Sequence, residues 1–515
     1  MSLPPIASSE HLTTEETTKQ IRGSTLLTGG RGISLVINFA VQILIVRHLS
    51  QDGYGAFAYA LSLIAVGESL VTFGLDRAIT RFVPIYEERG DYGRMLGTLV
   101  MVVGFVLAVG LALVLLVIGL QGWLAGSVIK DSNLVSVLVV LVALAPIQAY
   151  DGVLIGMFAV LADARAIFFR KYLLGPGLRL LVVALLITLG GGVHLLAAGY
   201  VAAGALGVAI YSWMLWRVLQ GRGLLRHFHL RSLSFPVREV LTFTVPLLTS
   251  DLVYVVMQSS DAILLEHFRG TDAVAALRVI QPAAVMNQLV FSSFALLFTP
   301  LASRLFARGD RTAVNDLYWR TAAWMAVFSF PIFALTFAIA GPLTVALYEA
   351  RYVESGTYLA LLSLGSYFNV ALGFNGLTLK VYGRLRYIVF LNVAAAIANV
   401  GINLLLIPRY GALGAAVGTT LTLVLHNILK QAGLALGTGV NILDPRYVRV
   451  YLVIGAAVTV LIAMTTLFEL GIAVDLALTA AASLAVLLLN RDTLRIGDTF
   501  PALLRLPFGR QVFGA

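Results

Sequence analysis

The sequence predicts an all-α integral membrane protein of about 14 transmembrane helices, arranged as two pseudo-symmetric six-helix lobes plus two extra C-terminal helices, with both termini cytoplasmic. Three observations predict this class. Fourteen apolar stretches of roughly membrane-spanning length fill the 515 residues, and a helix needs about 20 apolar residues to cross hydrocarbon. Hydrophobic residues make up 59% of the chain and charged residues 12%, where about 25% charged is usual for a soluble domain. The second six stretches repeat the pattern of the first six, a common mark of proteins whose site lies between two related halves. With no cysteine in the chain, disulfides and thiolate metal sites are excluded.

In chain order, residues 1–20 are polar and Thr/Glu-rich. They read as a disordered cytoplasmic tail and lack the basic start and apolar core of a cleavable signal peptide. The first lobe, residues 21–220, carries spans Leu26–His48, Tyr54–Leu75, Leu96–Leu120, Leu134–Val160, Leu173–Leu189 and Val193–Trp216. The fifth is the shortest and is interrupted by Gly175-Pro176-Gly177. A basic cytoplasmic linker covers 221–239. The second lobe, 240–436, carries Val240–Leu265, Ala273–Leu297, Ala322–Leu347, Thr357–Leu379, Ile388–Ile407 and Ala412–Leu436. Residues 437–490 add Val448–Phe468 and Ile472–Leu489, and 491–515 form a second cytoplasmic tail.

Lys and Arg sort by loop. One side holds most of them; the other holds only Arg47, Lys130, Arg269, Arg351 and Arg409. This alternation fits an even helix count with the basic side in the cytoplasm. The net charge of +10 is therefore mostly topology. A nucleic-acid partner is not expected, because the charges are spread over short loops rather than gathered on a domain.

The repeat has three landmarks. Pro84 with Arg89-Gly90-Asp91 matches Pro300 with Arg308-Gly309-Asp310, about 219 residues on; each triplet reads as a polar turn ending a long helix. Ile43 through His48 and Asp52 matches Ile263 through His267 and Asp272. The turn Gly190 to His194 matches Pro408-Arg409-Tyr410-Gly411. Both halves share one orientation, so the repeat is parallel, about an axis along the membrane normal.

Several of these segments resemble a known family. Arg47-His48-Leu49-Ser50-Gln51-Asp52-Gly53-Tyr54-Gly55-Ala56-Phe57 is similar to the early "L-x(4)-YG-x-F/Y" signature of polysaccharide flippases, as is Phe73-Gly74-Leu75-Asp76-Arg77-Ala78-Ile79-Thr80-Arg81-Phe82. Leu406 through Ala416 resembles their "IP-x-YG-x-x-GAA" segment. These are the O-antigen and polysaccharide transporters of the multidrug/oligosaccharidyl-lipid/polysaccharide (MOP) exporter superfamily. The resemblance runs from about Ile21 to Leu489.

Polar residues within spans are the functional candidates, because ionisable groups in hydrocarbon are costly unless they face a cavity or a partner. Span one places Arg31, Ser34, Asn38 and Gln42 on one face. Span eight carries Arg278 and Gln281. The resemblance implies a cationic cavity between lobes that holds a lipid-linked diphosphate, with Arg31, Asn38, Gln42, Arg278 and Gln281 as its ligands; guanidinium binds phosphate oxygens bidentately. At the cytoplasmic end of span two, Glu68, Asp76, Arg77 and Arg81 read as a gate of ion pairs. Asp251 and Asp261 of span seven, Asn392, Asn399 and Asn403 of span eleven, and Thr419, Thr420 and Thr422 of span twelve are further candidates. In relatives a cation site is built from these three helices, which implies Asp251 or Asp261 with Asn399, Asn403 and Thr419. Na⁺ suits that oxygen set, and a proton suits the carboxylate alone. The competing reading is interhelical hydrogen bonding. Asp151 and Arg179 are expected to pair as a structural bridge. His227 and His229 lack a third ligand and make no metal site.

The leading functional expectation is a flippase moving lipid-linked (polyprenyl-diphosphate) oligosaccharide from the cytoplasmic to the outer leaflet of the cell membrane by alternating access, with a tail groove beside spans thirteen and fourteen. No G-x-x-x-x-G-K-[ST] loop is present, so no direct use of ATP is expected. No cofactor is expected beyond Na⁺ or H⁺ as coupling ion. The expected partners are the lipid-linked oligosaccharide, membrane lipids and other polysaccharide-assembly proteins, with the transporter itself a monomer. A cation-coupled multidrug antiporter of the same superfamily is the alternative. A membrane glycosyltransferase is disfavoured, because the external connections are short and hold only scattered acids such as Asp131, Glu349 and Glu354.

Overall fold

The computed structural model describes residues 14–128, 132–161, 164–227, 233–468 and 471–495. The expectations for 1–13, Asp131, His229 and the tail from 496 lie outside them. The expected disorder of 1–20 meets a difference within them, since α1 (Thr14–His48) is helical from Thr14.

Among the described residues, 12 helical runs are long and apolar enough to cross a membrane. One of them, Leu385–Thr438, is 54 residues long and holds two spans joined at a kink. A further helix, Val237–Arg269, has 33 residues and contains the seventh span. Fourteen crossings result.

The chain divides into two compact units. The first comprises Met1–His48 and Ile64–Leu252, and the second Leu49–Leu63 and Val253–Ala515. Two helices belong partly to each. The outer turns of α2 (Gln51–Thr72) belong to the second unit, and the leading half of Val237–Arg269 belongs to the first.

Within the first unit, α2 gives way at Phe73 and Gly74, both at positive φ, to α3 (Leu75–Glu88). Asp76, Arg77 and Arg81 therefore sit on a separate helix from Glu68. Helix α4 (Tyr92–Gly119) follows, then α5 (Ser132–Leu141) and α6 (Leu144–Val160). Span five is longer than the sequence suggested, because a π-helical turn, Phe168–Leu174, precedes α7 (Gly175–Thr188). Pro176 opens the α-helical part, where its missing N–H costs nothing. Helix α8 (Val193–Gly221) completes the set. Val71, Ile79, Tyr86, Met95, Val106 and Val153 are among the residues of its apolar core.

The second unit opens on α9 (Val237–Arg269) from Val253. Span eight, expected as one helix, is broken. It runs as α10 (Thr271–Arg278), a short turn at Gln281–Ala284, and α11 (Gln288–Ala307). Pro282 cannot donate a backbone bond and supports the break. Helices α12 (Arg311–Phe337), α13 (Ala340–Tyr348), α14 (Ser355–Ala371) and α15 (Asn375–Val381) follow. Then come α16 (Leu385–Thr438), α17 (Pro445–Phe468) and α18 (Ile472–Leu489). The core is aromatic: Tyr318, Trp319, Phe330 and Phe374 are all nearly inaccessible.

The repeat landmarks coincide with matched backbone features. Gly90 and Gly309 both adopt positive φ, at 66° and 73°, the usual stop for a helix. Asp91 and Asp310 then cap the next helix, accepting from the amides of Arg94 at 3.0 Å and Ala313 at 2.9 Å. Gly190 and Gly411 match likewise, at φ 62° and 57°.

Candidate functional site

In the first unit, the polar face of α1 meets α7. Asn38 donates to the Ser34 carbonyl at 2.7 Å and to its hydroxyl at 3.0 Å. Its own carbonyl accepts from Arg179 at 3.4 Å. Arg31 lies exposed on the same helix, Gln42 is partly buried, and Arg179 is exposed. The expected Asp151–Arg179 bridge is not what forms. Asp151 pairs instead with Arg170, at 3.0 Å. Arg170 is buried in the π-helical turn, against Gly207, where a Cβ would meet its guanidinium. Arg179 is thereby left for the polar face of α1. The sequence signal that could have shown this is Gly175-Pro176-Gly177, which marks the irregular turn that re-aims both arginines.

The gate candidates also lie in this unit. Arg77 pairs with Asp251 at 2.7 Å, both side chains partly exposed. Asp251, nominated for the cation site, is engaged here by Arg77. Arg81 stacks over Phe243, 4.4 Å from the ring centroid. Glu68 and Asp76 are partly buried on α2 and α3, and Asp76 lies within electrostatic reach of both Arg77 and Asp251.

In the second unit, Asp261 and Arg278, expected in separate roles, form one closed cluster at the break in span eight. Arg278 donates to Asp261 at 3.0 Å, to Gln281 at 2.6 Å and to the Gln258 carbonyl at 2.9 Å. Gln281 returns a bond to Asp261 at 2.9 Å, and the Ala262 amide adds another at 2.7 Å. Asp261 is 4% exposed. A carboxylate taken out of water needs such partners. Arg278 is therefore not the open phosphate ligand that the sequence suggested.

Beside this cluster, Ser260 donates to Asn399 at 3.3 Å, Asn403 donates to the same oxygen at 3.4 Å, and Asn399 reaches Thr422 at 3.5 Å. The asparagines do share a face. Their hydroxyl partners are Ser260 and Thr422 rather than Thr419. The Asn403 side-chain carbonyl is buried without a hydrogen-bond partner. Such an orphan acceptor is rare in a folded interior.

The signature glycines mark close approaches. Gly55 lies against the backbone carbonyl of Thr271, Gly414 against that of Leu406, and Gly418 against the Asn403 side chain. Each contact leaves no room for a Cβ. Asp52 accepts from the Thr271 hydroxyl, so two matched landmarks of the repeat meet each other.

The broken span, the buried ion pairs and the cationic polar helix face define a multi-pass helical membrane protein that keeps charged groups within its spans. The family follows from direct comparison. A family profile described as polysaccharide biosynthesis protein matches residues 21–306, and the chain belongs to that family. A second profile, MatE, matches residues 246–405. An uncharacterized membrane protein of Methanocaldococcus jannaschii is 29% identical over 163 residues, covering 31% of this chain and 32% of that one. The match thus spans about a third of the curated relative's length. Among solved structures, the lipid II flippase MurJ in an inward closed conformation aligns with TM-score 0.69 at 13% identity, over 93% of this chain and 100% of that one. An inward-facing multidrug resistance MATE family transporter of the MOP superfamily gives 0.62 at 16% identity, over 77% and 92%. A MOP superfamily transporter from Pyrococcus furiosus gives 0.52 at 16% identity, over 81% and 94%. At such identities the likeness is one of fold. The protein is a multi-pass component of the cytoplasmic membrane.

Proposed function

We propose that the protein is a flippase, not an enzyme, that carries a polyprenyl-diphosphate-linked oligosaccharide from the cytoplasmic to the outer leaflet by alternating access. The observation that carries this reading is the cationic polar face of the first unit, where exposed Arg31 and Arg179 accompany Asn38 without a carboxylate partner in an ion pair among the described residues. Family membership and a fold shared with a lipid II flippase support it. Two guanidiniums offer the paired donors that a diphosphate needs.

In the second unit, Arg278 becomes available to an anion only by leaving Asp261. A cation, Na⁺ or a proton, arriving at Asp261 competes with Arg278 for the carboxylate. The side-chain oxygens of Asn399 and Asn403 supplement a metal ion there. Ion binding then frees the Arg278 guanidinium, which couples the gradient to the charge state of the second unit. The Arg77–Asp251 pair, both partners in the first unit, serves as the gate that opens during transport. The MatE match over 246–405 favours a second reading, a cation-coupled multidrug antiporter. A face lined by arginine repels cationic drugs, which sets that reading second.

The test is deletion of the gene with lipid analysis. Accumulation of a polyprenyl-linked oligosaccharide facing the cytoplasm, reproduced by Arg31→Ala with Arg179→Ala in a protein that still inserts, is the expected result. Unchanged glycolipids with lost drug efflux would transfer the assignment to the antiporter.

A further inference from the structure

At the end of the second unit that the charge distribution assigns to the outside, five elements meet around a cavity of about 410 Å³. They are the start of α2, the end of α9, helix α10, the start of α14 and the kink in α16. The volume falls within the roughly 300–1,000 Å³ of small-ligand sites. Its polar lining consists chiefly of Gln51, Arg269, Asp272, Glu354, Tyr358 and Arg409. Two guanidiniums and two carboxylates sum to no net charge, so a charged ligand gains nothing overall by entering. Their planar ends instead offer hydrogen-bond donors and acceptors within one lining. That pattern matches the vicinal hydroxyls of a pyranose, and the Tyr358 ring offers an apolar face to its C–H side. The wall at the kink is fixed, because Arg269 donates to the carbonyls of Pro408 at 2.6 Å and Arg409 at 2.8 Å.

A second observation concerns how the cavity is completed. Gln51 belongs to α2, whose outer turns dock on the second unit while the helix from Ile64 onward belongs to the first. The docking consists of the Asp52–Thr271 bond, a Gln51 donation to the Asp272 carbonyl at 3.2 Å and an Arg351 donation to the Leu49 carbonyl at 2.9 Å. Gly55 seats against Thr271.

The geometry points to a binding site for an uncharged, polyhydroxylated sugar unit, assembled only while the outer end of α2 is docked. It rests on the glycan-transport reading and names where glycan is held at the outer face. Because the ligand meets a complete wall only in the docked state, it stabilises that state by mass action.

The test uses the purified full chain in detergent, with saturation-transfer NMR and titration of methyl glycosides of glucose, galactose and N-acetylglucosamine, and of glucuronate. At least one neutral glycoside binds saturably. Tyr358→Ala with Arg409→Gln weakens it about tenfold or more, and Gly55→Val, outside the cavity, weakens it severalfold through the lost docking, within the range of ordinary coupling. Should Gly55→Val not fold, Asp52→Ala supplies the same comparison. Absence of neutral-sugar binding, binding indifferent to the Tyr358/Arg409 change, or binding of glucuronate alone overturns the site. Full binding in the undocked variant overturns its dependence on α2. The readout is independent of transport: sugar binding without flipping would sink the proposed function and leave this site, and flipping without sugar binding would do the reverse.

Discussion

Between Asp261 and Arg278, burial decides what each charge does. Removing one partner of a buried pair leaves the other uncompensated, at about 3–5 kcal/mol. Arg278→Ala is thus expected to lower thermal stability in detergent by that order, and Asp261→Leu added to it to recover a large part. Independent, additive losses would show that the two do not share a charge. At the start of α17 a different acid sets a pH limit. Asp444 is nearly inaccessible and is held below the usual carboxylate range, first by the hydrogen bonds from the Arg446 side chain. It also accepts from Asn315 at 3.5 Å. A depressed folded pKa stabilises above the unfolded value of about 3.9 and is lost as pH falls through the folded one. The α17 attachment should therefore hold from neutral pH down to about 4 and loosen only below it. Limited proteolysis at 437–445 across that range reads the transition, and Asp444→Asn should abolish it.

The helices are interrupted where the chain packs most closely. In α16 the kink rests on Gly411, at φ 57° and ψ −133°, a conformation costly to side chains. One turn on, Gly414 faces the Leu406 carbonyl with no room for a methyl group. Gly414→Ala is expected to cost about 1–3 kcal/mol through overpacking. Gly104→Ala in α4, where a Cβ would meet nothing within 4 Å, should instead stabilise by up to about 1 kcal/mol. Thermal melts of the two variants compare them directly, and equal shifts would contradict the packing argument. The break in span eight is the other interruption with consequences. It lets Arg278 and Gln281 turn toward Asp261, as unwound segments do at transporter sites.

For the whole molecule, the chain's lack of cysteine makes topology directly measurable. Single cysteines at Arg308 and Arg89 should react with an impermeant maleimide only from the cytoplasmic side, and one at Glu354 only from outside. The opposite pattern would reverse the orientation inferred from Lys and Arg. The two units do not divide at a loop. Each claims part of a helix that the repeat assigns to the other, α2 in one direction and α9 in the other.

Composition and hydropathy alone determined the membrane class and its helical spans, because spanning length is a local property of the chain. The polar face of α1 and the asparagine face of α16 were legible too, since helical spacing alone puts Asn38 near Arg31 and Asn403 near Asn399. Pairings were not. Arg170 rather than Arg179 meets Asp151, Arg77 rather than an asparagine meets Asp251, and Arg278 meets Asp261. Each depends on a π-helical turn, a broken span or a helix shared between units. Spacing along one helix cannot carry that information, because an ion pair across helices is chosen by where the backbone deviates from regularity, and only the tertiary structure decides that.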